Sequence, residues 1–433
     1  MSIALALQRR GIHYGWIVVA MTFLTLLTTA GAMSTPGVLL APLQKEFGWS
    51  TATISVALSL RVAVFGLMAP FAAALMIRFG LRAIMMMAVA ITAVGMGTTA
   101  LVEAPWQLTL LWGLVVGGGT GMTAMVLGAT VANRWFVRQR GLVMGIMAAS
   151  SATGQLLFLP AYATIDAAYG WRAVVIAVAV AMALLIPLLG FFMRDRPADI
   201  GLEAYGETAS EPPPGAITHA NPLKAAFEAL GTAIGSRDFW LLSAGFMVCG
   251  FSTNGLIGTH LIAACLDHGI TEIPAAGLLA LMGAFDLVGT IGSGWLSDRW
   301  SNRHLLCIYY VMRGISLIYL PFAFDLSFIG LTVFAAFYGL DWLATLPPTV
   351  KLATSIFGRT GGPLVFGWIF VAHQLGAALA AFAAGLTRTL EGSYMPAFIV
   401  SGAFCILAGF LSLGIRGGRK SGNAPIKLVP VTP

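Results

Sequence analysis

Apolar residues along this 433-residue chain fall neither in strict alternation nor in narrow helical stripes. They come in continuous runs of about 20 residues divided by short polar segments. As a helix, a run of that length matches the hydrocarbon layer of a bilayer, about 30 Å at 1.5 Å per residue. The pattern predicts twelve such runs, at 14–40, 51–77, 83–102, 107–133, 141–163, 172–193, 237–266, 275–297, 304–324, 327–352, 363–388 and 394–415. Glycine is frequent inside them, as at Gly117, Gly118, Gly119 and Gly121, and proline occurs within or near their ends at Pro36, Pro160, Pro187, Pro347 and Pro348. In water these residues argue against helix. In lipid, small residues let helices approach closely and neighbouring helices satisfy the backbone that proline frees. The reading is an all-α membrane protein with twelve transmembrane helices.

The texture changes once, at Arg194–Ser236, a polar stretch with a proline run at Pro212–Pro214. It reads as a linker, part of which, Leu223–Leu230, has the pattern of an amphipathic helix lying on a membrane. The expected organisation is a six-helix bundle over 1–193, the linker over 194–236, a second six-helix bundle over 237–415 and a tail over 416–433. The halves echo each other: Ile77–Arg82 follows the second run and Asp298–Arg303 follows the eighth, 221 positions on. Tyr14-Gly15-Trp16 and Asp238-Phe239-Trp240 open the first and seventh runs. With the N-terminus inside, nineteen Lys and Arg residues fall in inward segments and three (Lys45, Arg172 and Arg388) in outward ones. The bias predicts that both termini face the cytoplasm. The first residues show no n-region, h-region and cleavage-site order, so no removable signal is expected.

Composition sharpens this reading and excludes others. The chain is 58% hydrophobic and 9% charged, against about 25% charged in soluble domains, so lipid must be the solvent for most of it. Its net charge of +7 lies in short loops rather than in one patch, which argues against nucleic acid. Cys249, Cys265, Cys307 and Cys405 lie in apolar runs without metal-ligand spacing and read as small buried hydrophobes. No phosphate loop, metal cluster or Ser/His/Asp set is present, so neither an enzyme, a cofactor nor an ATP-driven pump is expected.

Four ionisable groups fall near the middle of runs: Arg61, Asp286, Arg313 and Asp341. Such groups are costly in hydrocarbon and mark functional sites by default. Asp286 and Arg313 lie at similar depths on consecutive runs, and two readings stay open: a buried pair that holds the second half together, or a gate in a transport cycle. Arg61 has no acid in its own half. It can bind a carboxylate through parallel hydrogen bonds, pair with Asp341, or face water. Asp341 is a proton site or the partner of Arg61. Weaker polar candidates for a lining role are Asn254, His260, His373, Gln155, Tyr338 and Tyr14, while Phe366, Trp368 and Phe370 read as packing or lipid-facing.

These residues resemble the major facilitator superfamily. The resemblance covers the whole chain and rests most specifically on the loop motif Gly294–Arg299, with Gly294, Asp298 and Arg299 in place. In the first half only Arg78, Gly80 and Arg82 match, Ile77 stands where an acid is expected, and the fourth run carries no arginine. Tyr14-Gly15-Trp16 and the stretch Arg134–Gly145 are similar to the monocarboxylate transporter and oxalate/formate exchanger group. In that group an arginine follows the aspartate of the eighth helix by one turn; here Thr290 takes that place, and the resemblance implies that Arg313 substitutes for it. It further implies a monomeric secondary transporter of the inner membrane that moves a small organic anion, a monocarboxylate, with protons. Arg61, Arg313 and the neutral polar residues would bind substrate, Asp286 and Asp341 would couple protons, and the two loop motifs would govern conformational change. An anion exchanger, an exporter and a sensor without flux are the alternatives.

Overall fold

A computed structural model describes residues 13–49, 51–207 and 221–416. Part of the expected linker, 208–220, and the tail from 417 lie outside the described residues. Helices account for nearly all the rest: α1 (Gly15–Ser34), α2 (Pro36–Phe47), α3 (Thr51–Phe79), α4 (Leu81–Thr99), α5 (Pro105–Trp135), α6 (Arg140–Tyr169), α7 (Trp171–Phe192), α8 (Pro222–Ala233), α9 (Arg237–Asp267), α10 (Glu272–Ser297), α11 (Asn302–Asp325), α12 (Ser327–Leu340), α13 (Leu346–Glu391) and α14 (Met395–Ser412). Among the described residues ten helical stretches are long and apolar enough to cross a membrane, and two shorter apolar ones, Arg140–Ser150 and Ile329–Leu340, lie at the remaining expected places. Their outer faces are greasy: Phe191 is 72% exposed and Phe382 71%. Lipid, unlike water, covers such surface at no cost.

The chain forms two compact units. One contains the described residues up to Val143 and those of Ser150–Glu228; the other contains Met144–Ala149 and the described residues from Ala229 onward. Within the first, α3 packs on α5 and α4 on α7; within the second, α10 packs on α12 and α11 on α14. The same pairing order in each half is the structural form of the repeat seen in the sequence. The second unit's core draws on every helix from α9 to α14, through residues such as Leu261, Leu278, Leu317, Phe334, Ala380 and Phe398, and takes in Cys265 and Cys405 as the small hydrophobes expected.

Two helices expected to be continuous are broken. The tenth run ends as a helix at Leu340, turns over residues 341–345 and resumes at Leu346. Pro347 and Pro348 fit the restart: a proline has no N–H to continue the preceding helix, and its fixed φ suits the first turn of a new one. In the first unit α5 carries a π-helical turn at Thr109–Val116 and an irregular step at Thr123 and Ala124, after its glycine-rich stretch. Interrupted helices at corresponding places of two repeats mark substrate sites in transporters. A third break, at Gly358 (φ 83°, ψ 168°), divides α13; Gly80, between α3 and α4, adopts nearly the same geometry (φ 89°, ψ 160°). That region is open essentially to glycine alone.

The break at 341–345 sits against α10 at a point of backbone contact. A Cβ on Gly289 would lie 1.8 Å from the carbonyl oxygen of Leu340. Neither backbone can give way without separating α10 from α12. Gly289→Ala is therefore expected to cost about 3 kcal/mol or more, read as a fall in unfolding temperature of the purified protein. Gly277→Ala, where nothing lies within 4 Å of the added carbon, is the neutral control.

Candidate functional site

Near the middle of the expected runs, the described residues bury charge in two places, one in each unit. In the second unit Arg313, on α11, is fully buried, and its donors are divided between the break that separates α12 from α13 and residues of α9. Its Nε–H donates to Asp341 Oδ2 (2.9 Å), and Nη2 donates to the carbonyl oxygens of Asp341 and of Trp342 (3.0 Å). Nη1 donates to Cys249 Sγ (2.9 Å) and, at 3.5 Å, to Ser252 Oγ. A guanidinium has five N–H groups, and each of these has its acceptor.

This corrects the expected pairing of Asp286 with Arg313. Asp286 instead accepts from Thr290 Oγ1, one turn along its own helix (2.5 Å), and from the backbone N–H of Leu343 in the break (3.0 Å). The physical reason is the break itself. Leaving the helix frees carbonyls at 341 and 342 and an N–H at 343. In a buried setting these need partners: the cation meets the carbonyls and the carboxylate meets the N–H. Ser293 Oγ on α10 adds a bond to Ala344 O (2.5 Å), and Cys249 Sγ lies 3.2 Å from Thr345 Oγ1. Two ionisable groups read as partners are thus two clamps on one interrupted helix. Asp341 has a cation of its own unit: its Oδ2 is held by Arg313, and its Oδ1 is buried with no hydrogen-bond partner among the described residues.

Several neutral candidates join this cluster or its flanks. Tyr338 is buried and donates to Ser252 O (2.8 Å) within the π-helical stretch Phe251–Ile257 of α9. His373 is buried between the rings of Phe246 (4.7 Å) and Phe370 (5.7 Å), its Nδ1 3.3 Å from Gln374 Oε1. Phe366 and Phe370 are thereby packing residues. His260 binds Ala381 O through Nε2 (2.9 Å) and joins α9 to α13, away from Arg313's partners; Asn254 is exposed. Cys249 and Ser252 were not among the candidates. A cysteine in an apolar run gives no signal of its own, and only the fold shows that it is an acceptor for Arg313.

In the first unit the buried cation is Arg61 on α3, 5% exposed. Nη2 donates to Met33 O on α1 (3.0 Å), and its guanidinium lies over the ring of Trp112 on α5, 5.9 Å from the centroid. Among the described residues its Nε has no partner and no carboxylate pairs with it. The helix that carries it is held close to α5: a Cβ on Gly117 would lie 3.0 Å from Arg61 O. Arg61 thus differs from Arg313 in kind. One has every donor filled by protein, and the other is a buried cation whose Nε–H meets no acceptor among the described residues. The side chain of Gln155 lies outside the described residues. Tyr14 is not brought to Arg61; its hydroxyl donates to Phe192 O (2.8 Å), and its ring lies 6.1 Å from that of Trp135. Trp16, Phe136 and Tyr205 complete an aromatic cluster there, so the signature stretches at 14–16 and 134–145 meet each other at the end of the unit.

The loop motifs differ between the halves as the sequence does. In the second unit Lys351 Nζ donates to Asp298 Oδ1 (2.8 Å) and Ser297 O (2.7 Å). Arg299 lies over Trp295, 4.0 Å from the ring centroid, and Gly294 is near the end of α10. In the first unit Arg134, 217 positions before Lys351, makes the matching bond to Met76 O (2.9 Å). Ile77 supplies no acid, but Asp195 from beyond α7 accepts from Arg82 N–H (2.8 Å) and lies against Gly80. Arg78 lies over Phe79, 5.2 Å away. An acid distant in sequence thus stands beside the motif that lacks one.

At the opposite ends, the acids Glu46 and Asp267, 221 positions apart, each bind an arginine of their own unit: Arg172 at 2.7 Å and Arg388 at 2.6 Å. Bonds from Arg172 and then from Trp171 Nε1 (2.7 Å) hold the Glu46 carboxyl below its ordinary range. Its stabilising contribution is complete above the unfolded value, about 4.3, and is lost as pH falls through the lower folded value. The difference in unfolding temperature between wild type and Glu46→Gln is accordingly expected to stay constant from pH 8 to 5. It should shrink only in stronger acid, and stay small throughout because the pair is exposed.

Comparison with known proteins agrees with this architecture. The profile of the Major Facilitator Superfamily matches residues 21–381. Monocarboxylate transporter 13 of Bos taurus is 27% identical over 405 residues, 92% of this chain and 88% of that protein. The uncharacterized MFS-type transporter YcxA of Bacillus subtilis is 27% identical over 416 residues, 92% of this chain and 94% of that one. Among solved structures, the proton:xylose symporter XylE bound to 6-bromo-6-deoxy-D-glucose matches with a TM-score of 0.70 at 16% identity, covering 94% of this chain and 97% of that one. The last is a likeness of fold.

Proposed function

Since the chain belongs to the Major Facilitator Superfamily, we propose that it is a twelve-helix secondary transporter that carries a small organic anion, a monocarboxylate, by alternating access. Both termini face the cytoplasm, the working form is a monomer, and the inner membrane is its site. The observation that carries the reading is Arg61: a buried cation with, among the described residues, an unfilled donor and no carboxylate partner. A guanidinium left this way is stabilised by an anion that brings the missing acceptors. The relatives named as monocarboxylate transporters support the substrate class, and the interrupted helices, α5 in one unit and α12–α13 in the other, support a transport role. Thermal unfolding of the purified protein across carboxylates, neutral solutes and cations tests it, because a ligand of the folded state raises stability. Stabilisation by cations or neutral solutes alone contradicts the anion reading.

Proton symport is the coupling we assign, with Asp286 as the proton-carrying group. Arg313 is taken by Asp341, and among the described residues Asp286 has no ion-pair partner. A proton removes the cost of that buried charge. Asp286→Asn is expected to exchange substrate at near wild-type rate yet lose acceleration by an inward proton gradient, about tenfold or more, in proteoliposomes. Unchanged acceleration removes Asp286 from coupling.

A further inference from the structure

Beside Arg61 lies a second buried donor with nothing to bind. Trp112 is 1% exposed, and its Nε1–H has no acceptor among the described residues. A buried indole N–H ordinarily finds a partner, and leaving it unmet costs about 1–3 kcal/mol. Two such lapses in contact with each other, with the guanidinium 5.9 Å from the ring centroid, point to one shared acceptor. Trp112 also stands in the π-helical turn Thr109–Val116. Such turns recur at functional sites.

We propose that Trp112 is a specificity-determining residue of the anion site: its indole N–H and the guanidinium of Arg61 grip one carboxylate from two helices. The proposal rests on the reading of the protein as an organic-anion carrier. Two N–H···O bonds of about 2.9 Å, made to oxygens about 2.2 Å apart, let one carboxylate reach donors on two neighbouring helices. The chemistry also sets the charge of the ligand. One guanidinium supplies a single positive charge, and the indole adds a donor without adding another. The site therefore takes a monocarboxylate in preference to a dicarboxylate, whose second charge it leaves buried and unpaired.

The test uses full-length protein in detergent, with ligand affinity read from thermal stabilisation by pyruvate, benzoate, succinate and neutral benzamide. Trp112→Phe keeps an aromatic face over Arg61 and removes the N–H. Without ligand it is expected to unfold within about 2 °C of wild type. Its affinity for the stabilising monocarboxylate is expected to fall about tenfold or more, the loss of one hydrogen bond to a charged group, with no change toward benzamide. If Trp112→Phe does not fold, benzothienylalanine at position 112, which has the shape of tryptophan and no N–H, makes the same comparison. Wild-type affinity in the variant, with loss in Arg61→Gln, overturns the role of Trp112 and leaves the anion reading standing. Tighter binding of succinate than of either monocarboxylate overturns the monoanion preference. If no carboxylate stabilises wild type, or Arg61→Gln keeps its stabilisation, both fall together.

Discussion

Arg313→Ala is expected to destabilise the second unit more than any other single substitution of a charged residue, by about 3–5 kcal/mol from the buried pair alone. Removing the guanidinium leaves Asp341 buried without its cation and leaves the carbonyls of Asp341 and Trp342 without donors. Each unmet carbonyl adds about 1–3 kcal/mol, and because all three sit on one segment the costs are not additive. Thermal unfolding of the purified protein is the measurement. Arg313→Lys keeps the charge but offers three donors where five are used, so it is expected to fall between alanine and wild type. Arg313→Met combined with Asp341→Asn removes both charges and is expected to recover part of the loss; the remainder is the share of the carbonyls. Equal stability of wild type and Arg313→Ala would mean that the break is held by something else.

Arg61 calls for the opposite sign. Arg61→Met removes a buried cation that has one hydrogen bond to Met33 O, a face contact with Trp112, and no counter-charge among the described residues. Replacing such a group by an apolar side chain of similar length relieves desolvation at the loss of about 1 kcal/mol for the bond. The ligand-free protein is expected to be as stable as wild type or more stable, by about 1–3 kcal/mol. Carboxylate affinity is expected to fall at least a hundredfold. Function that costs stability is the usual mark of a binding site; an arginine whose loss costs both is a structural one. The two arginines, alike as intramembrane charges in the sequence, are separated by this contrast.

That likeness shows where sequence reasoning stops. Run length placed the helices, because bilayer thickness imposes it directly, and cost in hydrocarbon marked Arg61, Asp286, Arg313 and Asp341. Pairing was not legible. It depends on which face of each helix meets which neighbour, and Asp286 and Arg313 at equal depth looked like partners. The break that separates them had a signal in Pro347-Pro348, since a double proline ends one helix as readily as it begins another. Thr290, four residues after Asp286, was a second signal: side chains at that spacing share a helix face, and a hydroxyl there is a local partner. Trp112 had none, because an aromatic residue in an apolar run looks like packing until its N–H is seen to lack an acceptor. Asp195 was hidden by distance: the acid beside the first loop motif comes from beyond α7, more than a hundred residues after Arg82.

Counterflow in proteoliposomes, with wild type and Arg61→Met prepared side by side and loaded with unlabelled monocarboxylate, tests the central claim most directly. The expected result is that wild type accumulates labelled monocarboxylate transiently while Arg61→Met, folded and at least as heat-stable, does not. Arg61→Met exchanging label at the wild-type rate contradicts the assignment of the anion to Arg61, and a wild type that exchanges no monocarboxylate contradicts the carrier reading itself.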